Sequence, residues 1–224
     1  MTISIIIPVL HEPILLIRDT SRIFAENTGS VPDLIIVDGD QAGSSINSIT
    51  DKNVIRLIAP AGRGSQFAAG AAVAGGDILL LLHADTRLPE GALSAVEQAI
   101  ASGAAWGAFR LGIDAAPLPY RVIELFVELR CRLFKLPYGD QAMFVTRKAL
   151  STVGGIPQIP LMEDVALARA LAKAKLPFTL LPERVRTSAR RWQQDGIVKR
   201  TLKNWWLLLR YLTGVKPEKL AREY

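Results

Sequence analysis

The chain has 224 residues, a length that suits one α/β domain and leaves little room for two. Half of it is hydrophobic, enough for a sizeable core. Its most apolar run, residues 78–82, is bounded by Asp77, His83 and Asp85 and falls far short of the roughly 18 apolar residues that cross a bilayer. Formal net charge is +6 and Cys131 is the only cysteine, which excludes an intrachain disulfide and fits a reducing compartment.

Residues 3–7, β-branched and apolar and followed by Pro8, predict a first strand. A helix is expected over 14–27, where Ile14, Leu15, Ile17, Ile23 and Phe24 share a face, with Gly29 at its stop. Buried strands follow at 34–37, ending on Asp38-Gly39, and at 53–58. The alanine-rich stretch 64–74 predicts a small-surfaced helix packed on a sheet. Residues 78–82 give the next strand and 89–101 a helix with Pro89 in its first turn. Beyond lie a strand at 106–113, a long apolar helix at 120–136, and short strands at 140–145 and 178–181 flanking a helix at 163–175. A last helix spans 197–213. Apolar strands alternating with helices predict βαβ units, hence an α/β fold with a mainly parallel sheet covered on both faces.

In such a sheet, ligands bind beyond the carboxyl ends of the strands. Glu12, Asp38 and Asp85 stand there, after the first, second and fourth apolar runs. Converging carboxylates repel one another unless a cation or ligand intervenes, although a single Asp there serves equally as a helix cap. Asp85, in His83-Ala84-Asp85-Thr86, is the candidate ligand for Mg²⁺ or Mn²⁺ bridging diphosphate oxygens. His83 projects to the same side of an extended segment and either joins it or is hydrogen-bonded scaffold. Gly62-Arg63-Gly64-Ser65-Gln66 opens the alanine-rich helix, where glycines allow close backbone approach to an anion and Arg63 can bond it. Glu163-Asp164 opens another helix; the pair either caps it or supplies, at Asp164, a general base for an attacking hydroxyl. Gly139-Asp140-Gln141 and the segment from Ser188 to Arg191 and Trp192 add polar groups that packing leaves unexplained.

Taken in order, Ile5-Ile6-Ile7-Pro8 with Glu12, Val37-Asp38-Gly39, His83-Ala84-Asp85, Gly139-Asp140-Gln141 and Met162-Glu163-Asp164 resemble the inverting GT-A glycosyltransferases of family 2. The nearest flavour is a bacterial branch known only as "transferase 2", similar to dolichyl-phosphate mannose synthases. The resemblance spans nearly the whole chain. It implies one glycosyltransferase domain over 1–224, with a nucleotide-sugar half at 1–115 and an acceptor half with C-terminal helices at 116–224. It implies a Rossmann-like GT-A mixed sheet flanked by helices. Glu12, in the loop that Pro8 opens, and Asp38 then hold the nucleotide base and ribose. His83 and Asp85 occupy the Asp-x-Asp metal and diphosphate position, Asp164 beside Glu163 is the catalytic base, and Arg191 and Trp192 are what remains of a Gln-x-x-Arg-Trp motif. Four departures stand out. His83 replaces the first Asp, His11 the usual Asn, Gly39-Asp40-Gln41-Ala42-Gly43 the usual Gly-Ser-Thr-Asp, and Ser188 the Gln. With no membrane-spanning segment, polymer synthesis is not expected.

The expected reaction moves a sugar from a nucleotide-diphosphate sugar to an acceptor left open, lipids among its candidates. Two other classes share parts of this pattern. A nucleotidyltransferase also carries a metal-binding carboxylate on an α/β sheet, but opens with a Gly-rich basic loop where this chain has Pro8-Val9-Leu10-His11-Glu12-Pro13. A non-catalytic nucleotide-sugar-binding protein is the other. Residues 184–222 hold eleven Lys and Arg against Asp195 and Glu218 alone. That is either a solvated face or a site for phosphate-bearing partners, with anionic lipid rather than nucleic acid expected. Stretches 120–136 and 205–212 mix aromatic and aliphatic residues, the second beside Arg200, Lys203 and Arg210. Such stretches lie in a bilayer interface or pack as core or dimer helices. The first residues lack a signal peptide's basic region and cleavage site, so cytosolic residence with peripheral contact at the inner membrane face is expected.

Overall fold

Three apolar runs open the chain as strands in the computed structural model, which describes residues 1–11, 32–47 and 49–223, with Arg191 described by its backbone alone. These are β1 (Ile3–Val9), β2 (Asp33–Asp38) and β3 (Val54–Ile58). β1 continues past its expected stop, because Pro8 withholds only its own N–H and Val9 still accepts a hydrogen bond from the Gly39 amide at 2.9 Å. The helix expected over 14–27 and the candidate Glu12 lie outside the described residues.

The chain continues through α1 (Arg63–Val73), β4 (Ile78–Leu81), β5 (Thr86–Arg87), α2 (Ala92–Ala101), β6 (Trp106–Asp114) and α3 (Leu118–Phe134). A single 3₁₀ turn, Gly139–Gln141, leads into β7 (Met143–Thr146) and α4 (Arg147–Thr152). The remainder is α5 (Glu163–Lys173), β8 (Phe178–Ser188), α6 (Arg190–Asp195), α7 (Ile197–Leu212) and α8 (Pro217–Ala221). All eight strands join one sheet in the order β3-β2-β1-β4-β7-β6-β8-β5. The β1–β2, β2–β3, β1–β4 and β6–β8 pairings are parallel, while β7 runs antiparallel to both β4 and β6, and β5 to β8. The sheet is therefore mixed, with parallel pairings predominating.

Continuous apolar runs mean burial on both faces, and β1, β2 and β4 show it residue by residue. Ile5, Ile7, Leu34, Ile36 and Leu80 enter one apolar layer. Their neighbours Ile6, Ile35, Val37, Leu79 and Leu81 enter the other, as the period-2 alternation of a strand requires. β3, an edge strand, is the exception and leaves Ile55 and Ile58 exposed.

Two expected strands differ in extent. The run 140–145 is a strand only from Met143. Before it, the Tyr138 amide donates to the Gln141 side chain at 3.1 Å and winds the Gly139–Gln141 turn. β8 reaches Ser188 rather than stopping at Leu181. Its register against β6 jumps from Phe109↔Leu181 to Arg110↔Arg184, so Pro182 and Glu183 bulge out and pairing resumes beyond them. That extension carries the chain to the functional cleft.

Candidate active site

Beyond the carboxyl ends of β1 and β4 a cleft of about 440 Å³ opens. Pro8, His83, Asp85, Gly139, Asp140 and Asp164 line its base, Arg63 stands at one side, and Trp192 of α6 closes another. Residues from six separated segments therefore meet here, in the place a parallel sheet reserves for ligands.

Backbone hydrogen bonds fix the loops that carry the carboxylates. The Thr86 amide closes a turn onto the His83 carbonyl at 3.0 Å, and the Ser188 amide donates to the Asp85 carbonyl at 3.2 Å, so the extended β8 clamps the loop after β4. The His83 ring stacks near Phe67, centroids 6.1 Å apart, and presses on Gly139 so closely that a Cβ there would collide with its Nε2. Only glycine fits beneath that imidazole. The Gly139 amide donates to Asp164 Oδ2 at 2.7 Å, and Oδ1 accepts the Val165 amide at 2.7 Å. Asp164 thus ties the turn carrying Asp140 to the first turn of α5.

Asp140 is the electrostatic outlier. Its Oδ1 is buried with no hydrogen-bond partner among the described residues. Burial pushes its pKa from 3.8 up to about 6; Arg130 opposes the rise, and the Asp164 and Asp85 carboxylates add to it. Glu163 is buried too, and burial raises it to about 7, opposed by Arg63 and reinforced by Asp164. It lies behind the cleft wall, where its Oε1 meets Arg63 Nε at 2.8 Å and aims that guanidinium along the cleft edge. Arg130 sits over the Tyr138 ring, 3.4 Å from its centroid, bracing the same turn from below.

Other expected site residues sit elsewhere. Asp38 is fully buried and accepts the Asp40 amide at 2.9 Å and the Ser45 amide at 2.8 Å, so it shapes the loop after β2 and does not line the cleft. Gln141 is likewise buried, donating to the Phe109 carbonyl at 3.0 Å and accepting from Cys131 at 3.3 Å and Arg130 at 3.2 Å. It braces β6 against α3. Gly64 leaves room not for an anion but for protein, since a Cβ on it would strike the Pro157 carbonyl. Trp192 lines the cleft with its indole N–H buried and without a partner among the described residues.

Sequence reasoning missed Tyr138, Asn204 and the inward turn of Arg200. Arg200 was expected as a basic flank of an interfacial helix. It is buried instead, pairs with Asp195 at 3.2 Å, and lines the cleft with Asn204 and Leu207. Their i, i+4, i+7 spacing is a helix-face signal legible in the chain, but the aromatics around it mask it.

Among the described residues no group of three or more His, Cys, Asp or Glu is placed to cage a metal ion alone. Even so, the mutual repulsion of Asp85, Asp140 and Asp164 leaves negative charge that a hard cation would offset, with ligand phosphate oxygens completing its shell.

No family model and no curated protein matches the sequence. Solved structures do match. Mannosyltransferase PcManGT from Pyrobaculum calidifontis, solved with GDP-Man and Mn²⁺, superposes with a TM-score of 0.65 at 15% identity, covering 96% of this chain and 66% of its own. The structure of S. aureus TarS 1-349 gives 0.60 at 14% identity, covering 84% of this chain and 61% of its own. The fold is GT-A-like. This chain spans less than two thirds of either neighbour's length. Within its GT-A-like sheet the cleft lies where the parallel β1–β4 pair meets the reversed strand β7, so both halves of the sequence supply its walls.

The raised Asp140 gives a first expected result. Because its folded pKa exceeds 3.8, the folded state holds the extra proton, and stability falls as pH rises from about 4 through about 6. At pH 7.5 the ionised carboxylate costs about 1–3 kcal/mol. Asp140→Asn therefore raises the unfolding temperature by several degrees at pH 7.5 in metal-free buffer, and the gain disappears near pH 4. An unchanged or lower melting point at pH 7.5 would contradict the assignment.

Proposed function

We propose that the protein is an inverting glycosyltransferase of the family 2 kind, moving a sugar from a nucleotide-diphosphate sugar to an acceptor hydroxyl. The observation that carries this reading is the meeting of Asp85, Asp140, Asp164 and Arg63 on one cleft of a GT-A-like fold. The ordered motifs from Pro8 to Trp192 support it. So does the nature of PcManGT, a mannosyltransferase in complex with GDP-Man and Mn²⁺.

In this reading the diphosphate lies along Arg63 at the N-terminal turn of α1, where a guanidinium and the helix dipole favour an anion. Asp85, with His83 beside it, holds Mn²⁺ or Mg²⁺. That cation, when bound, offsets charge building on the departing diphosphate. Asp164, fixed by two backbone amides, takes the proton of the acceptor hydroxyl from the opposite side, as single displacement with inversion demands. The Trp192 indole N–H and the Asp140 Oδ1 supply a donor and an acceptor for sugar or acceptor hydroxyls. Asp38 contributes through the loop it holds rather than by its own oxygens.

A panel of GDP-, UDP- and dTDP-sugars with Mn²⁺ tests this. The true donor raises the unfolding temperature, by the equivalent of about 2.7 kcal/mol at one hundred times its Kd, and is slowly hydrolysed or transferred. Release of pyrophosphate from a sugar phosphate and a nucleoside triphosphate would identify a nucleotidyltransferase instead. Tight binding with neither hydrolysis nor transfer would identify a non-catalytic binder.

A further inference from the structure

We infer that the face built by α3 and α7 docks on an anionic lipid bilayer. Both helices are two-sided. α3 buries Tyr120, Glu124 and Cys131 and exposes Leu125, Phe126 and Leu129 along one stripe. α7 buries Arg200 and Leu207 toward the cleft. About half a turn round the same helix it exposes Leu202, Trp205 and Leu209. The Phe126 and Trp205 rings meet edge-on at 6.0 Å, which joins the two stripes into one surface. Most of the exposed large apolar side chains among the described residues belong to it. A contiguous patch of this kind marks an interaction site rather than ordinary surface.

Charge decides what covers it. Every exposed residue of the two helices is apolar or basic: Arg121, Arg132 and Lys199 are exposed, and neither helix exposes an acidic residue. The acids of α3 are turned away and outnumbered: buried Glu124 pairs with Arg121 at 2.8 Å, and Glu128 engages Arg132 at 2.9 Å, Arg110 at 3.3 Å and Arg184 at 3.3 Å, so four arginines share two carboxylates and the face keeps a positive excess. A second copy, paired about a two-fold axis, would set these cations against themselves. An anionic headgroup layer neutralises them, while Trp and Phe settle at the headgroup–acyl boundary. No helix among the described residues is long and apolar enough to cross a membrane, so the contact is interfacial. The inner side of α7 lines the cleft. Docking by its outer side therefore sets that wall roughly one helix diameter, about 10 Å, from the lipid surface.

The inference stands apart from the proposed reaction, and its readout needs no sugar donor. The full chain is sedimented with vesicles of phosphatidylcholine alone and of phosphatidylcholine mixed with phosphatidylglycerol. Association with the anionic vesicles alone is expected, weakening as salt is raised because the attraction is screened within about 8–10 Å. The double variant Phe126→Ser, Trp205→Ser removes two exposed side chains. It should bind at least about tenfold more weakly, since two partly buried aromatic rings leave the interface, with circular dichroism and melting point unchanged. Lys199→Glu should lower binding by about tenfold through charge alone. Equal recovery with neutral vesicles, or none with either, would overturn the proposal. Concentration-dependent dimerisation that the double variant abolishes, without vesicle binding, would assign the face to a second copy.

Discussion

Asp164→Asn lowers turnover by about 10²–10⁴-fold with a neutral hydroxyl acceptor, the usual span for a lost general base, while donor affinity barely changes. The carboxylate's place explains why. It opens α5, which packs beside α1 where Glu163 pairs with Arg63 at 2.8 Å, and its two oxygens are oriented by the Gly139 and Val165 amides at 2.7 Å each. Each oxygen keeps a second lone pair for an incoming hydroxyl. Asparagine preserves the size, but its amide nitrogen can accept neither backbone N–H, so one tie is lost along with the base. Two readouts separate these effects. A loss confined to kcat reports a missing proton acceptor. A parallel rise in donor Kd reports a displaced Gly139–Gln141 turn. An anionic phosphate acceptor requires no base and would show a smaller loss. Near-normal turnover with a hydroxyl acceptor removes Asp164 from the role, and a full loss in Asp140→Asn instead would move the role to its buried neighbour. Retention of the donor's anomeric configuration would reject the inverting mechanism outright.

Asp85→Asn weakens Mn²⁺-dependent binding of the nucleotide sugar by at least the 10–100-fold that changes to outer metal partners commonly cause. Affinity measured in the presence of a chelator stays the same. Asp85 is the carboxylate best placed for this, because its loop is closed at the Thr86 amide and clamped by the Ser188 amide, while its side chain faces the cleft. His83, pressed between Phe67 and Gly139, is oriented by packing. Replacing Asp85 with asparagine keeps shape and removes charge, and it also relieves Asp140 of one repulsive neighbour. The variant should therefore unfold no lower than the parent at pH 7.5. Calorimetry showing equal donor affinity with and without Mn²⁺ in both proteins would sink the metal assignment.

By itself the sequence determined the elements whose physics is local. Short apolar runs at 3–7, 34–37 and 78–82, bounded by polar or turn residues, read as strands covered on both faces, and β1, β2 and β4 are that. An alanine-rich run and a Glu-Asp start announce α1 and α5. It also determined which polar residues gather near strand ends, because an apolar strand has no packing use for His83 or Asp85. Tertiary structure decided what those residues do. Asp38, Gln141 and Gly64 carry the same local signals as cleft residues, yet non-local partners absorb them: the Ser45 amide, the Phe109 carbonyl and the Pro157 carbonyl. β8 outruns its pattern because a bulge at Pro182 and Glu183 restores a register visible only against β6. Arg200 turns inward, and the aromatic stripe beside it outward, because the cleft wall lies on one side of α7 alone. Helical periodicity reveals that a helix has two faces; which face meets the protein is settled by contacts between segments far apart in the chain.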